Sequence, residues 1–224
     1  MSELRIALTI TTLTSLSVGA GGSSGSRADK SVIRDGYGRP IIPGSQVKGK
    51  VRHAAEALLQ GLGLPSQAHF DDDESPSNPI RQLFGSPQVR SPLRFTDLPA
   101  ALGDILNPAE NRQLLSELRP SVSINRRRGV AEDERLLFRE TVPHSLVFSA
   151  DDAITGYLKA DDFPSVALLW AALRFCSRWG GATSRGLGWV NIEPQIFWQG
   201  EAQPLSNTVL SAALRQLPQQ KGAH

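Results

Sequence analysis

Cysteine is almost absent from this chain: Cys176 is the only one among 224 residues. No internal disulfide can form, and no multi-cysteine zinc site can be built. That fits a reducing compartment. Excess charge of one sign is missing too, since the formal net charge is only +2. Affinity for nucleic acid therefore cannot be argued from net charge and has to come from where the basic residues lie. Long hydrophobic runs are also lacking. The longest, Val166 to Leu173, is far too short to span a bilayer. The opening MSELRIALTI carries Glu3 and Arg5 and no extended apolar core, so it does not read as a signal peptide. These absences lead us to expect a soluble, cytoplasmic protein with no membrane partner. Two catalytic signatures are missing as well. There is no G-x-x-x-x-G-K-[ST] phosphate loop. The histidines, His53, His69, His144 and His224, are scattered, and no Ser-His-Asp spacing stands out.

What remains is an ordinary globular balance, 40% hydrophobic and 21% charged, with enough chain for one sizeable domain. Leu4, Ile6, Leu8 and Ile10 alternate with polar residues and predict a half-buried strand. A Gly/Ser-rich loop follows over 17–29. Val32-Ile33 and Ile41-Ile42 flank a turn at Asp35-Gly36. Ser45 reads as an N-cap, and Val47, Val51, Ala54, Leu58 and Leu62 recur at helical spacing behind it. Residues 65–92 are rich in Pro, Ser and Asp and read as a surface insertion with a short helix around Ile80–Phe84. The DDDE run from Asp71 to Glu74 lacks a spaced ligand pattern and reads as a charged loop. Val122 and Ile124, then Leu136 to Phe148, suggest the arms of a long hairpin. Pro164 marks a second helix with a stripe of Val166, Leu169, Trp170, Leu173 and Cys176. A glycine-rich loop and a strand from Trp189 to Ile192 close the pattern. The tail after Gln199 reads as loose. This order predicts an α+β domain with helices packed on an antiparallel sheet, and a ferredoxin-like core is the best architecture.

Three stretches carry positive charge or glycine where local rules disfavour them. Lys48, Lys50 and Arg52 sit near a helix start, where the unpaired N–H groups already contribute positive potential. With Ser45 and Gln46 they make a candidate phosphate site; alone, the same residues read equally as a solvated face. Gly49 costs about 1 kcal/mol in a helix relative to Ala, which makes sense if another backbone approaches. Arg126, Arg127 and Arg128 lie at the expected hairpin tip, where they could clamp a nucleic-acid backbone. Thr183, Ser184, Arg185 and Gly186 lie in GGATSRGLGW, a loop open enough for backbone N–H groups to meet a sugar-phosphate chain. The plainer reading of that loop is a helix C-cap and a tight turn.

Taken together, SVIRDGYGRPIIPGSQVKGKVR, IRQLFG, SVSINRRRGVAEDERLLFRETVP and GGATSRGLGWV resemble the motifs of the RAMP superfamily of CRISPR-Cas proteins, especially backbone subunits of type III effector complexes. The resemblance spans roughly residues 4 to 192. It departs from the family pattern at Ser31, where a proline is common, and at Gln46, where a second serine is common. The resemblance implies a modified RRM-like core over 1–224, with a thumb hairpin at about 120–148. It implies a filament of similar subunits, beside other effector subunits, on a guide CRISPR RNA paired to a target RNA. In catalytic members a loop Asp cuts the target at a base displaced by the thumb, and the matching residue here is Asp29. That Asp would act as a base or place a divalent ion such as Mg²⁺; no organic cofactor is implied. Two other readings stay open: a structural subunit without nuclease activity, and a guide-processing endoribonuclease acting alone.

Overall fold

The computed structural model describes residues 1–19, 31–64, 78–103, 110 and 115–217, with the side chains of 133–135 excepted. The elements run β1 (Ser2–Thr12), β2 (Ile41–Ile42), α1 (Gly44–Gly61), α2 (Pro79–Phe84), β3 (Leu93–Phe95), β4 (Leu98–Pro99), β5 (Glu117–Asn125), β6 (Val130–Thr141), β7 (Val147–Leu158), α3 (Phe163–Phe175), β8 (Val190–Trp198) and α4 (Asn207–Leu214). Four strands form an antiparallel sheet in the order β3-β7-β1-β8. The chain is therefore an α+β protein.

β1 shows why the sheet has two unlike faces. Leu4, Ile6, Leu8 and Ile10 are buried, while the residues between them are more open. A strand turns successive side chains to opposite faces, so this alternation puts one face against a core. The helices supply that core: Val47, Val51, Ala55 and Leu59 of α1, Ile80 and Leu83 of α2, and Leu169 and Leu173 of α3 join the same cluster. Fully burying each of the valine, leucine and isoleucine side chains contributes about 1.5–3 kcal/mol. α3 is buried nearly all round, with Ala167, Leu168 and Ala172 inside as well as the expected stripe. It lies between α1, α2 and α4.

Several expectations change. Ser45 does not cap α1; Pro43 holds the cap position and makes no side-chain bond, and Ser45 lies exposed inside the first turn. The capping acceptor comes from elsewhere: Asp97, just past β3, accepts from the Gly44 N–H at 2.8 Å. Its carboxylate also faces the positive end of the helix. Gly44 is required there, because a Cβ would overlap the Phe95 carbonyl. Asp97→Ala should cost about 1 kcal/mol in urea unfolding. Leu62 lies beyond α1 and is 61% exposed, so it leaves the buried stripe. The 65–92 stretch is not all surface: Ile80, Leu83 and Phe84 of α2 are core residues, while 65–77 lie outside the described residues. The hairpin is β5 and β6, from Glu117 to Thr141, and the residues from Val147 belong to the central sheet. The tail after Gln199 carries α4, which Ser206 caps and whose Leu210 and Ala213 are buried. Among the described residues, no helix is long and apolar enough to cross a membrane.

Candidate nucleic-acid interface

The segment from Leu13 to Gly19, directly after β1, is where the candidate elements meet. Leu16 exchanges backbone hydrogen bonds with Val142, just past the root of the β5–β6 hairpin, at 3.0 and 2.8 Å. On its other side, Ser15 and Ser17 accept from the amides of Gly188 and Gly181 at 2.9 and 2.8 Å. Side chains reinforce the junction. Arg119 donates to Ser15 Oγ at 2.9 Å, Ser15 Oγ donates to Glu117 at 3.2 Å, and Arg139 reaches Ser17 Oγ at 3.4 Å. The hairpin root and the glycine-rich loop are thus tied to one short segment, although they lie far apart in sequence.

The same segment begins a stem. Gly19 pairs with Val32, and the Ile33 amide donates to Val18 at 3.0 Å. Residues 20–30 connect these ends, and Asp29 among them lies outside the described residues. The returning strand is locked to the hairpin by Glu140. One carboxylate oxygen accepts from the Val32 N–H at 2.8 Å, and the other pairs with Arg34 at 2.9 Å. Both side chains are under a tenth exposed. Burial alone would raise the Glu140 pKa. The hydrogen bonds from Val32, Arg34 and Ser116 outweigh it and hold the carboxyl below its ordinary value. A depressed carboxylate pKa means stability that is present above the unfolded pKa and lost as pH falls through the folded one. Melting temperature should therefore fall on acidification below about pH 4.5, the ordinary value of this group, and Glu140→Gln should flatten that fall. Glu140→Ala leaves Arg34 buried without its partner and should cost about 3–5 kcal/mol.

Asp35 belongs to the turn. Its carboxylate accepts from the Tyr37 and Arg39 amides at 3.0 and 2.9 Å and pairs with the Arg39 guanidinium at 2.7 Å. Burial pushes its pKa up and these bonds more than reverse the push, so the carboxyl stays low. Every oxygen of Asp35 is engaged in holding the turn.

On α1 the three cations divide. Lys48 and Arg52 lie one turn apart. Burial lowers the Lys48 pKa, and the Arg52 charge lowers it further. Its ammonium lies 5.9 Å from the centre of the Phe95 ring. Arg52 pairs with Glu56 at 2.9 Å. Lys50 lies near the end of α3, where its carbonyl accepts from the Cys176 thiol at 3.6 Å. Burial pushes that thiol up to about 11, against the opposing Lys50 charge, so it stays protonated and unreactive. Among the described residues, no carboxylate pairs with Lys48 or Lys50. Gln46 keeps a buried Oε1 without a hydrogen bond. Gly49 is exposed, and among the described residues nothing beyond its own stretch of helix comes within 4 Å of where its Cβ would lie.

Cys176 caps the end of α3, four residues before the glycine-rich loop begins at Gly180, so the Lys50 backbone meets the chain that leads into the loop. Thr183–Arg185 form one helical turn, with Ser184, Arg185 and Gly186 exposed. The arginines at the hairpin tip do not join this group. Asn125 holds their turn, accepting from the Arg127 and Arg128 amides at 3.1 Å, and all three side chains are exposed. At about 3.4 Å per residue, β5 carries them roughly 27 Å from the hairpin root. Arg34, Asp97, Arg139 and Glu140 escaped the sequence reading. Arg34 and Glu140 fall inside quoted motifs, but only the fold pairs them.

The family model for the RAMP superfamily matches residues 9–191. A Mycobacterium tuberculosis protein described as CRISPR system Cms endoribonuclease Csm3 is 30% identical over 172 residues, covering 73% of this chain and 71% of that protein. A protein of the same description from Enterococcus italicus is 40% identical over 90 residues, 39% of this chain and 40% of its own. Among solved structures, a chain in a Type III-B Cmr-beta complex bound to cognate target RNA superposes with a TM-score of 0.58 at 16% identity. It covers 88% of this chain, which spans 61% of its length. With a family model across most of its length and a relative at this level of identity and coverage, the chain belongs to the RAMP superfamily.

Proposed function

We propose that this chain is a guide-RNA-binding backbone subunit of a type III CRISPR effector that cuts target RNA. The observation that carries the reading is the junction at Leu13–Gly19. It gathers the hairpin root, the glycine-rich loop and both ends of the Asp29-bearing segment, and α1 touches the chain leading into that loop where the Lys50 carbonyl meets Cys176. The core is ferredoxin-like and RRM-like on this reading, which the two β-α-β units with outer strands β3 and β8 support. Guide phosphates lie against Lys48, Lys50, Arg52, Ser45 and Gln46 and against the backbone of the loop at Thr183, Ser184, Arg185 and Gly186. These groups read no bases, as a subunit serving guides of any sequence requires. The hairpin is the thumb, with Arg126, Arg127 and Arg128 meeting RNA backbone at its tip. Its exposed Leu118, Val122, Ile124, Leu136 and Phe138 support a role inside an assembly, because a lone protein seldom leaves such a stripe uncovered. Neighbouring effector subunits cover it.

Cleavage then proceeds by attack of a ribose 2′-OH on the adjacent phosphate. The thumb displaces a base and frees the backbone to reach in-line geometry. Asp29 takes the 2′-OH proton as the O2′–P bond forms, and the P–O5′ bond breaks with its electron pair to the 5′-oxygen, which is protonated by water, leaving a 2′,3′-cyclic phosphate. No group of three or more potential metal ligands converges among the described residues, and Asp29 lies outside them, so a divalent ion such as Mg²⁺ placed by Asp29 is the alternative route. The reducing, cytoplasmic setting read from the sequence fits this function.

Replacing Lys48, Lys50 and Arg52 together with Ala tests the binding half. Affinity for unrelated single-stranded RNAs should fall alike, and the slope of log affinity against log salt should become shallower by about 0.7 per lost phosphate contact. An unchanged slope would return the three residues to a solvated face. Incubating the chain alone with repeat RNA separates the guide-processing alternative, which requires cutting without partners.

A further inference from the structure

The chain has four tryptophans, and three of them are under a tenth exposed: Trp170, Trp179 and Trp198. Trp189 is 39% exposed. It is also held firmly. Its carbonyl accepts from the Leu13 and Thr14 amides at 2.8 and 3.2 Å, and its own amide donates to Thr14 Oγ1 at 3.0 Å. It pairs with Arg178 across the neck of the glycine-rich loop, and the Arg178 guanidinium lies over its ring, 4.5 Å from the centre. An exposed indole on a fixed backbone, backed by a cation, stands three residues from the exposed Gly186 and four from the exposed Arg185.

We infer that Trp189 and Arg178 form a stacking platform for one base of the bound RNA strand. This rests on the RNA-binding reading above and adds a contact to a base face, where that reading supplies only backbone contacts. The chemistry suits an RNA of any sequence. Every base has a π-face, so stacking on an aromatic ring adds affinity without reading sequence, and an arginine beside the ring adds to it. Arg178 and Arg185 draw the phosphates of the same strand to the platform's edge. The plainer role, with Arg178 simply shielding an exposed ring, predicts no response of the ring to RNA.

Because the other three indoles are buried, Trp189 dominates collisional quenching by acrylamide. The full chain is titrated at low salt with 12-nucleotide single-stranded RNAs, oligo-U and oligo-A, and followed by tryptophan emission and by anisotropy of labelled RNA. Both RNAs should quench emission and protect it from acrylamide. Trp189→Phe should remove that response yet keep affinity within about twofold, since a ring remains. Trp189→Leu should weaken both RNAs by about fivefold to a hundredfold, the range of one lost base stack. RNA binding with unaltered acrylamide quenching, or wild-type affinity in Trp189→Leu, would overturn the platform. Protection that grows with protein concentration in the absence of RNA would assign the ring to contact between copies and overturn it likewise. If Trp189→Leu does not fold, the wild-type and Trp189→Phe emission decide. Failure of the wild-type chain to bind either RNA would overturn the RNA-binding reading itself, a result distinct from binding without a tryptophan response.

Discussion

Asp29→Ala should give an assembled effector that binds target RNA normally and cuts it about 10²–10⁴-fold more slowly at the position this subunit covers. That range is the usual contribution of a positioned acid–base group. Binding survives because phosphate contacts to Lys and Arg dominate affinity, and a carboxylate near the backbone only repels it. Stability survives as well, since the change removes none of the described bonds that hold Gly19 to Val32 and Val32 to Glu140. Asp35→Ala provides the contrast: it breaks two amide contacts and the Arg39 pair, so it should lower the melting temperature before it affects chemistry. Single-turnover cleavage and target affinity, measured on both variants in the rebuilt complex, check this. Normal cutting by Asp29→Ala would leave the structural-subunit reading in place.

The second large effect is at Gly188. Its φ of +77° is unfavourable for any residue with a side chain, and an added Cβ would overlap the Trp179 carbonyl oxygen. Its own carbonyl accepts from the Trp179 amide at 2.8 Å, and its amide donates to Ser15 at 2.9 Å. Gly188 therefore closes the loop's neck and fastens it to the junction. Gly188→Ala should cost about 1–2 kcal/mol for the left-handed backbone and about 1–3 more for overpacking. Gly186 gives the control. Its φ is +80°, but among the described residues nothing beyond its chain neighbours lies within 4 Å of its would-be Cβ, so Gly186→Ala carries the backbone cost alone. Urea unfolding of the two variants should separate them by the overpacking difference. Equal stabilities would show that the neck yields to a side chain and does not fix the loop.

The sequence made the periodic elements legible. β1 alternates cleanly, and α1 and α3 show apolar residues at helical spacing, because one face of each must meet the core. The antiparallel α+β class followed from their order. β7 was harder to read: Asp151 and Asp152 interrupt its alternation, and its register with β1 shifts between Ile6 and Leu8. α4 was missed because its short apolar face is diluted by polar flanks, and only packing on α3 shows it. The cap of α1 could not be read locally, since Asp97 lies 53 residues beyond Gly44. The same holds for the candidate site. Its motifs announced themselves as strings, but Arg34 with Glu140, Arg119 with Ser15 and Trp189 with Thr14 are partners that only the folded chain brings together.

The central claim is that this chain cuts RNA only where a guide directs it. The most direct measurement is cleavage by the effector rebuilt with this chain and one defined guide RNA. The guide is offered a complementary target and a scrambled RNA of equal length and composition. The account predicts cuts at regular intervals in the complementary RNA, each mapping to one copy of this subunit, and an intact scrambled RNA. Equal cutting of both RNAs, or cuts that do not move when the guide is shifted along the target, would contradict it.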